Sequence, residues 1–236
     1  MKLSVILPIK NESEVIIDTI NVLSDGLKNI DYEIVVVNDF SNDNSFKLVD
    51  NLSKNNSKIS LYNNLRMGLG GAITLGIEKA QGDAVCIMMS DLSDSFDDLI
   101  NYYKLIQKKE VDVVFGSRFI KNSNIEGYPI KKLILNRIFN FITKIIFLSE
   151  YNDFTNAFKM YKKKSLLKTF PLVSESYNVF LEIPLKMISR KMKYEIIPIS
   201  WKNRKKRKSK FKINELRSKY LFTLMYCLLE KILLKK

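Results

Sequence analysis

The first half of the chain repeats one pattern. A short, nearly continuous β-branched or aliphatic run is followed by a stretch with apolar residues three and four apart. Runs of the first kind suit strands buried on both faces, and stretches of the second kind suit helices covering them. The spacing predicts strands over 3–9, 32–38, 58–62, 84–89 and 111–116 and helices over 12–27, 45–54, 70–80 and 96–108. Asn11 is the expected cap of the first helix. Repeated strand–helix units close only into a mostly parallel sheet with helices on both faces, so the fold class is α/β.

The second half is less regular. Positions 129–148 read as a long apolar helix whose polar residues Lys132, Asn136, Asn140, Thr143 and Lys144 form one narrow stripe. Strands are expected over 157–161 and 194–201. A helix is expected over 178–190, kinked by Pro184 or starting after it. An amphipathic helix is expected over 213–234. No segment reaches the roughly 18 consecutive apolar residues of a membrane span. The helices of this half therefore read as core or membrane-interface elements. The expected organisation is a domain over 1–212 with an appended amphipathic helix over 213–236, packed on the domain or on a membrane interface. The N-terminus has no long apolar stretch of the secretory kind, which predicts a cytoplasmic protein.

The chain contains no histidine. That removes a Ser-His-Asp triad, a histidine base and His-ligated zinc, leaving Asp, Glu, Lys and Tyr for acid–base or metal work. The two cysteines, Cys86 and Cys227, lie in separate apolar runs and read as buried free thiols. Charge is divided: residues 1–100 hold 8 Lys+Arg against 15 Asp+Glu, and residues 101–236 hold 31 against 10. An acidic half suits a metal ion or hydroxyl groups, and a basic half suits phosphate, lipid headgroups or nucleic acid.

In open parallel sheets, ligands bind beyond the carboxyl ends of the strands. Those ends carry Pro8 to Glu12, Asn38 to Asp43, Ser90 to Asp94, and Gly116 to Arg118. Three carboxylates, Glu12, Asp39 and Asp91, and one arginine, Arg118, are expected at one edge. Each alone would serve as a helix cap. The glycines of Gly68-Leu-Gly-Gly-Ala72 come too late for a dinucleotide fingerprint, which belongs in the first β–α turn. They suit a helix start packed close to the sheet or near a phosphate.

In order and spacing these segments resemble the successive signatures of family 2 glycosyltransferases, which have the GT-A fold. They are Leu7-Pro-Ile-Lys-Asn-Glu12, Val36-Val-Asn-Asp39-Phe-Ser-Asn-Asp43, Gly68-Leu-Gly-Gly-Ala72, Gly82-Asp83, Asp91-Leu-Ser93 and Gly116-Ser-Arg118. The segments Asp153-Phe-Thr-Asn-Ala-Phe, Phe180-Leu-Glu182 and Arg204 with Ser209-Lys210 point within that family to the polyprenyl-phosphate sugar transferases, among them the dolichyl-phosphate mannose synthases. The resemblance covers residues 2–212. It implies transfer of a sugar from a GDP- or UDP-sugar to a dolichyl or undecaprenyl phosphate, with inversion, at the cytoplasmic membrane surface.

By position, the resemblance puts Pro8, Glu12, Asp39, Gly68 and Asp91 at the nucleotide sugar. It puts Asp91 and Ser93 at a divalent metal, Mg2+ or Mn2+, and Arg118, Lys132, Asn136, Arg204 and Lys210 at the acceptor phosphate. Asp91, Arg118 and Arg204 would be the catalytic set. Four positions depart from the family pattern. Met89 stands where the metal motif has its first Asp, and Asn38 precedes Asp39 where the family has two Asp. Lys132 and Asn136 replace an arginine and a serine, and Arg207 replaces a glycine. Magnesium takes few protein carboxylates, so Asp91 with diphosphate oxygens, or with Asp94, fits a metal requirement.

The chemistry agrees with that resemblance. A diphosphate leaving group gains charge as the glycosidic bond breaks, and a cation stabilises it. A phosphate acceptor is already anionic and needs positioning by cations rather than a strong base. The run Lys202–Lys210 has seven cations in nine residues and suits an anionic membrane surface. Relatives in which membrane helices follow the catalytic domain admit a membrane partner subunit. A transferase building a surface polysaccharide or glycolipid remains an alternative, as does a non-catalytic protein binding a nucleotide sugar or nucleic acid.

Overall fold

The computed structural model of the protein describes residues 1–108, 110–203 and 213–234. The first half alternates as its pattern predicts: β1 (Leu3–Ile9), α1 (Ile16–Gly26), β2 (Tyr32–Asn38), α2 (Ser45–Asn55), β3 (Ile59–Asn63), α3 (Leu69–Lys79), β4 (Ala84–Ile87), α4 (Phe96–Lys108) and β5 (Val113–Ser117). The second half adds β6 (Asn124–Glu126), α5 (Ile130–Phe147), β7 (Lys159–Lys162), α6 (Lys163–Leu167), α7 (Val179–Ser189), β8 (Tyr194–Pro198), β9 (Ser200–Lys202) and α8 (Ile213–Leu233).

A seven-stranded sheet runs in the order β3-β2-β1-β4-β7-β5-β8. Strand β1 pairs in parallel with β2 and β4, and β2 with β3, so Ile6 lies between Val35 and Ile87. Strand β7 runs antiparallel to both β4 and β5, and β5 is parallel to β8. Every strand except β7 therefore points the same way, and the carboxyl ends of β1, β2, β4 and β5 share one edge. Because β7 runs in reverse, the loop leading into it, including Asp153, reaches that same edge.

Two cores cover the sheet. Ile16, Ile20 and Leu23 of α1, Val49 of α2 and Leu99, Tyr102 and Ile106 of α4 pack on Val5, Leu7, Ile34 and Val36. On the opposite face Ile73 and Ile77 of α3, Leu181 and Leu185 of α7, and Tyr220, Leu224 and Cys227 of α8 pack on Ile6, Val35, Val85 and Phe115. Alternate strand residues supply the two cores, as the period of a strand requires. Cys86 and Cys227 are buried free thiols, as expected.

Three expectations are corrected. Helix α1 starts at Ile16 with Val15 at the cap position and no side-chain cap. Asn11, expected as that cap, is in the left-handed region at φ 53°. Its Oδ1 accepts from the Asn42 amide at 2.7 Å, so it ties together the two loops after β1 and β2. The helix expected over 178–190 forms as α7, and of the two readings of Pro184 only the later start is overturned, since the proline lies inside the helix. The expected strand over 194–201 divides at Ile199: β8 extends the main sheet and β9 pairs with β6 in a small second sheet.

Helix α5 points its polar stripe inward. Asn140 and Thr143 are fully buried, while Ile130, Ile134, Ile138, Phe141 and Ile145 face outward. Asn140 accepts the Phe154 amide at 2.6 Å, and its Nδ2 donates to Asn136. The stripe is buried because it satisfies the loop before β7, which has no sheet partner of its own. The outer face of α8 is also apolar, with Leu221, Phe222, Met225 and Leu229 exposed. No helix among the described residues is long and apolar enough to cross a membrane.

Candidate active site

Strand β2 delivers Asp39 to the shared edge. Its Oδ1 accepts from Asn64 Nδ2 at 2.7 Å and from the Gly68 amide at 2.8 Å. Lys10 Nζ stands 3.5 Å from its Oδ2. Gly68 is therefore spent on Asp39 and on close packing. At φ 112° it adopts a conformation that L side chains rarely take, and a Cβ there would lie 2.4 Å from the Glu175 carbonyl oxygen. The Gly70 amide donates to the same carbonyl at 3.0 Å. The glycine segment thus seats the start of α3 against residues 174–175. Pro8 is buried in β1, four residues before Glu12 in the chain. The Glu12 amide donates to Ser45 Oγ at 2.7 Å, which anchors the first loop on the start of α2.

Asp91 follows β4. Its Oδ1 accepts from the Ser93 amide at 3.0 Å, a tight turn made possible by Leu92 at φ 50°. Ser93 is buried and its carbonyl accepts the Lys202 amide at 3.0 Å. Residues 93–94 thus run beside β9, and Asp94 bridges to Trp201. Asp94 is buried as well, and burial, followed by the negative charge of Asp91, pushes its carboxyl up to about 7 against the opposing pull of Arg118. The phenol of Tyr177 is raised by burial and then by Glu12 and Asp91. Glu12, Asp91, Asp94 and Arg118 are thereby linked along one rim.

Arg118 follows β5 and is nearly closed off from solvent. Its Nε donates to Asp153 Oδ2 at 2.8 Å and its Nη2 to Asp153 Oδ1 at 2.7 Å. The Arg118 amide also donates to Oδ2, at 3.0 Å. Despite the burial that opposes it, the Asp153 carboxylate holds the guanidinium firmly charged. Tyr128 and Phe119 flank it, with ring centroids 5.5 Å and 5.3 Å away. Behind it lies Lys159, fully buried, whose Nζ donates to the Phe154 and Asn156 carbonyls. Burial pulls the Lys159 ammonium down to about 7, opposed by Asp153 and Asp94.

The predicted residues on α5 divide. Asn136 gives its Nδ2 to Thr155 Oγ1 at 2.6 Å and takes the Asn140 amide on its Oδ1. Its polar groups are thus spent on the protein. Lys132 is half-buried on the flank of the inward stripe. Arg204 and Lys210 lie outside the described residues. Sequence reasoning assigned no role to Asp153, Lys159, Tyr177 or Arg137. Asp153 and Tyr177 sit in loops without periodicity. Lys159 reads as an ordinary surface cation until the strand that carries it is seen to be central.

Asp91 and the buried Asp94, whose carboxyl is raised to about 7 by burial and then by Asp91, fit a divalent cation shared with a diphosphate. Among the described residues no cluster of three or more His, Cys, Asp or Glu side chains is placed to hold one by itself.

Residues 4–170 match the family described as glycosyl transferase family 2. The chain belongs to that family. Among curated proteins, this family 2 chain is 29% identical over 137 residues to the dolichol-phosphate mannosyltransferase of Pyrococcus furiosus, covering 58% of this chain and 39% of that protein. It is 28% identical over 224 residues to the dolichyl-phosphate beta-glucosyltransferase of Saccharomyces cerevisiae, covering 84% of this chain and 66% of that one. The chain therefore spans less than two thirds of the length of either relative. Among solved structures, glucosyl-3-phosphoglycerate synthase from Mycobacterium tuberculosis, in complex with Mn2+, UDP-glucose and phosphoglyceric acid, superposes with a TM-score of 0.71. Its identity is 18%, over 96% of this chain and 79% of that one. That likeness establishes the GT-A fold, and residues 4–170 place the chain in glycosyl transferase family 2.

Proposed function

We propose that this glycosyltransferase moves a sugar from a UDP- or GDP-sugar to a polyprenyl phosphate, dolichyl or undecaprenyl, with inversion at the anomeric carbon. The observation that carries the reading is the rim itself: Glu12, Asp39 and Asp91 on one side and the Asp153-held Arg118 on the other, all at the carboxyl ends of strands in one sheet. Glu12 and Asp39 would take the nucleoside, with Gly68 holding Asp39 in place. Asp91, oriented by Ser93, would hold Mg2+ or Mn2+ with Asp94 beside it. The metal would neutralise charge on the departing diphosphate. Arg118 would orient the acceptor phosphate, with Lys132 and the segment bearing Arg204 and Lys210 as further cations. The names of the two dolichyl-phosphate transferases support the lipid acceptor.

The exposed apolar faces of α5 and α8 support a site on a membrane surface. The basic run begins where β9 leaves the site, and each Lys or Arg near anionic lipid contributes about 1 kcal/mol. Peripheral attachment to the inner leaflet follows from that reading, and a membrane partner subunit is compatible with it. A hydroxyl acceptor, as in assembly of a polysaccharide or glycolipid, would need a base, and Asp94 is the buried carboxyl beside Arg118 that would serve. Mixing purified protein with a nucleotide sugar, Mn2+ and undecaprenyl phosphate in vesicles separates the two. Release of nucleoside diphosphate that requires the lipid phosphate supports the first reading. Release that requires a neutral sugar or glycolipid and ignores lipid phosphate rejects it.

A further inference from the structure

Arg137 follows Asn136 on α5, at the flank of the inward stripe that turns toward Arg118. Its guanidinium lies over the Phe119 ring, 4.4 Å from the centroid. The Arg118 guanidinium lies over the same ring at 5.3 Å. Two fixed positive charges therefore share one aromatic platform at the end of β5, and their neutralisation differs. Arg118 is paired with Asp153 through two hydrogen bonds. Arg137 has no carboxylate within ion-pair distance among the described residues, and its hydrogen bond is a long one, 3.5 Å, to the Asn152 carbonyl.

A half-buried guanidinium beside a second one is costly unless an anion completes it. Its planar fork suits a phosphate or carboxylate better than an ammonium does. Asn136, which the family pattern would place at the acceptor, is occupied by Thr155 and Asn140.

We infer that Arg137 binds the anionic group of the acceptor, a phosphate monoester, on the platform it shares with Arg118. The inference rests on the transferase reading and adds to it a residue to which the sequence analysis gave no role. In the transfer, a phosphate oxygen forms the new bond to the anomeric carbon. The bond from that carbon to the nucleotide's β-phosphate oxygen breaks, and the nucleoside diphosphate departs with the electron pair. A dianionic acceptor gives up no proton, so Arg137 supplies charge and orientation rather than acid–base chemistry.

The test is steady-state kinetics with UDP-glucose and GDP-mannose as donors. Farnesyl phosphate serves as a lipid acceptor and 3-phosphoglycerate as a soluble one. Arg137→Gln should raise the acceptor KM by about tenfold or more and leave the donor KM unchanged. Arg137→Lys should fall between the two, because it keeps charge and loses the fork. Arg137→Met keeps the stem over Phe119 and should match Arg137→Gln, which separates charge from packing if the glutamine variant folds poorly. The acceptor that loses affinity identifies the phosphate source. Turnover by the wild type with an unchanged acceptor KM in Arg137→Gln and Arg137→Met overturns this inference alone. So does a donor KM that rises in parallel. Wild-type turnover only with uncharged acceptors, or none with either phosphate, removes the transferase reading on a phosphate and this inference with it.

Discussion

Asp153 is the residue on which the arginine of this site depends. Its carboxylate is fully buried and takes three hydrogen bonds from Arg118, including one from the backbone. Removing one partner of such a pair leaves an uncompensated buried charge, at about 3–5 kcal/mol. Asp153→Asn should lower stability by that order in urea melts. It should also depress turnover far more than nucleotide binding, because it disorders Arg118 without touching Asp39. Lys159 gives a prediction in pH. Its folded value, about 7, lies below the unfolded 10.5, chiefly through burial. Between those values the unfolded chain holds the extra proton, so this group's contribution to stability rises with pH. The slope is at most about 1.4 kcal/mol per unit. Asp153, Arg118 and Asp94 face it, and their charges act on it alongside burial. Urea melts of wild type and Lys159→Met between pH 7 and pH 10 should therefore diverge, with the wild type gaining relative to the variant as pH rises.

At the scale of elements, the site is held by a loop between helices. Residues 173–178 pass under the start of α3, and Glu182 of α7 takes the Val173 and Ser174 amides at 2.9 and 2.8 Å. Thr223 of α8 takes Asn178 Nδ2 at 2.9 Å, and the Tyr220 hydroxyl donates to the Tyr177 carbonyl at 3.2 Å. Gly70 has no room for a side chain, since a Cβ would meet the Ser174 carbonyl oxygen at 1.8 Å. Gly70→Ala should cost about 1–3 kcal/mol through overpacking and weaken nucleotide binding by shifting Gly68 away from Asp39, which paired calorimetry of folding and of UDP binding would measure.

The elements themselves were mostly legible. Strands β1, β2 and β4 are nearly continuous aliphatic runs, and Glu12, Asp39, Asp91 and Arg118 stand out because polar residues follow such runs. The antiparallel β7 was legible as a strand, not as a reversed one, since pairing direction leaves no mark on a run as short as Lys159–Lys162. Arg137 and Asp153 were not legible as site residues. One belongs to a helix that brings it over Phe119, and the other to a loop that the reversed β7 carries to the same edge, so only the assembled fold brings both to Arg118.

The whole molecule presents an apolar surface where a soluble enzyme would be polar. Phe141 on α5 and Phe222 on α8 are 63% and 62% exposed, so neither contributes to the core. Replacing both with serine should leave folding stability within about 0.5 kcal/mol. Co-sedimentation with vesicles rich in anionic lipid should drop sharply, and salt should weaken binding of the wild type. Unchanged co-sedimentation would detach these helices from the membrane. Distribution of charge along the chain points the same way. The acidic first half carries Glu12, Asp39 and Asp91 of the rim, and the strongly basic second half carries Arg118, Arg137 and the run from Lys202.

The central claim is that one sheet edge, from Asp39 to Asp91, holds a nucleoside diphosphate. Calorimetric titration of UDP and GDP into the wild type, Asp39→Ala and Asp91→Ala, each with Mn2+ and with chelator, tests it most directly. Binding by the wild type should weaken with Asp39→Ala in both conditions, whereas Asp91→Ala should abolish only the part that depends on Mn2+. If neither nucleotide binds the wild type, or both variants bind as it does, the account is contradicted.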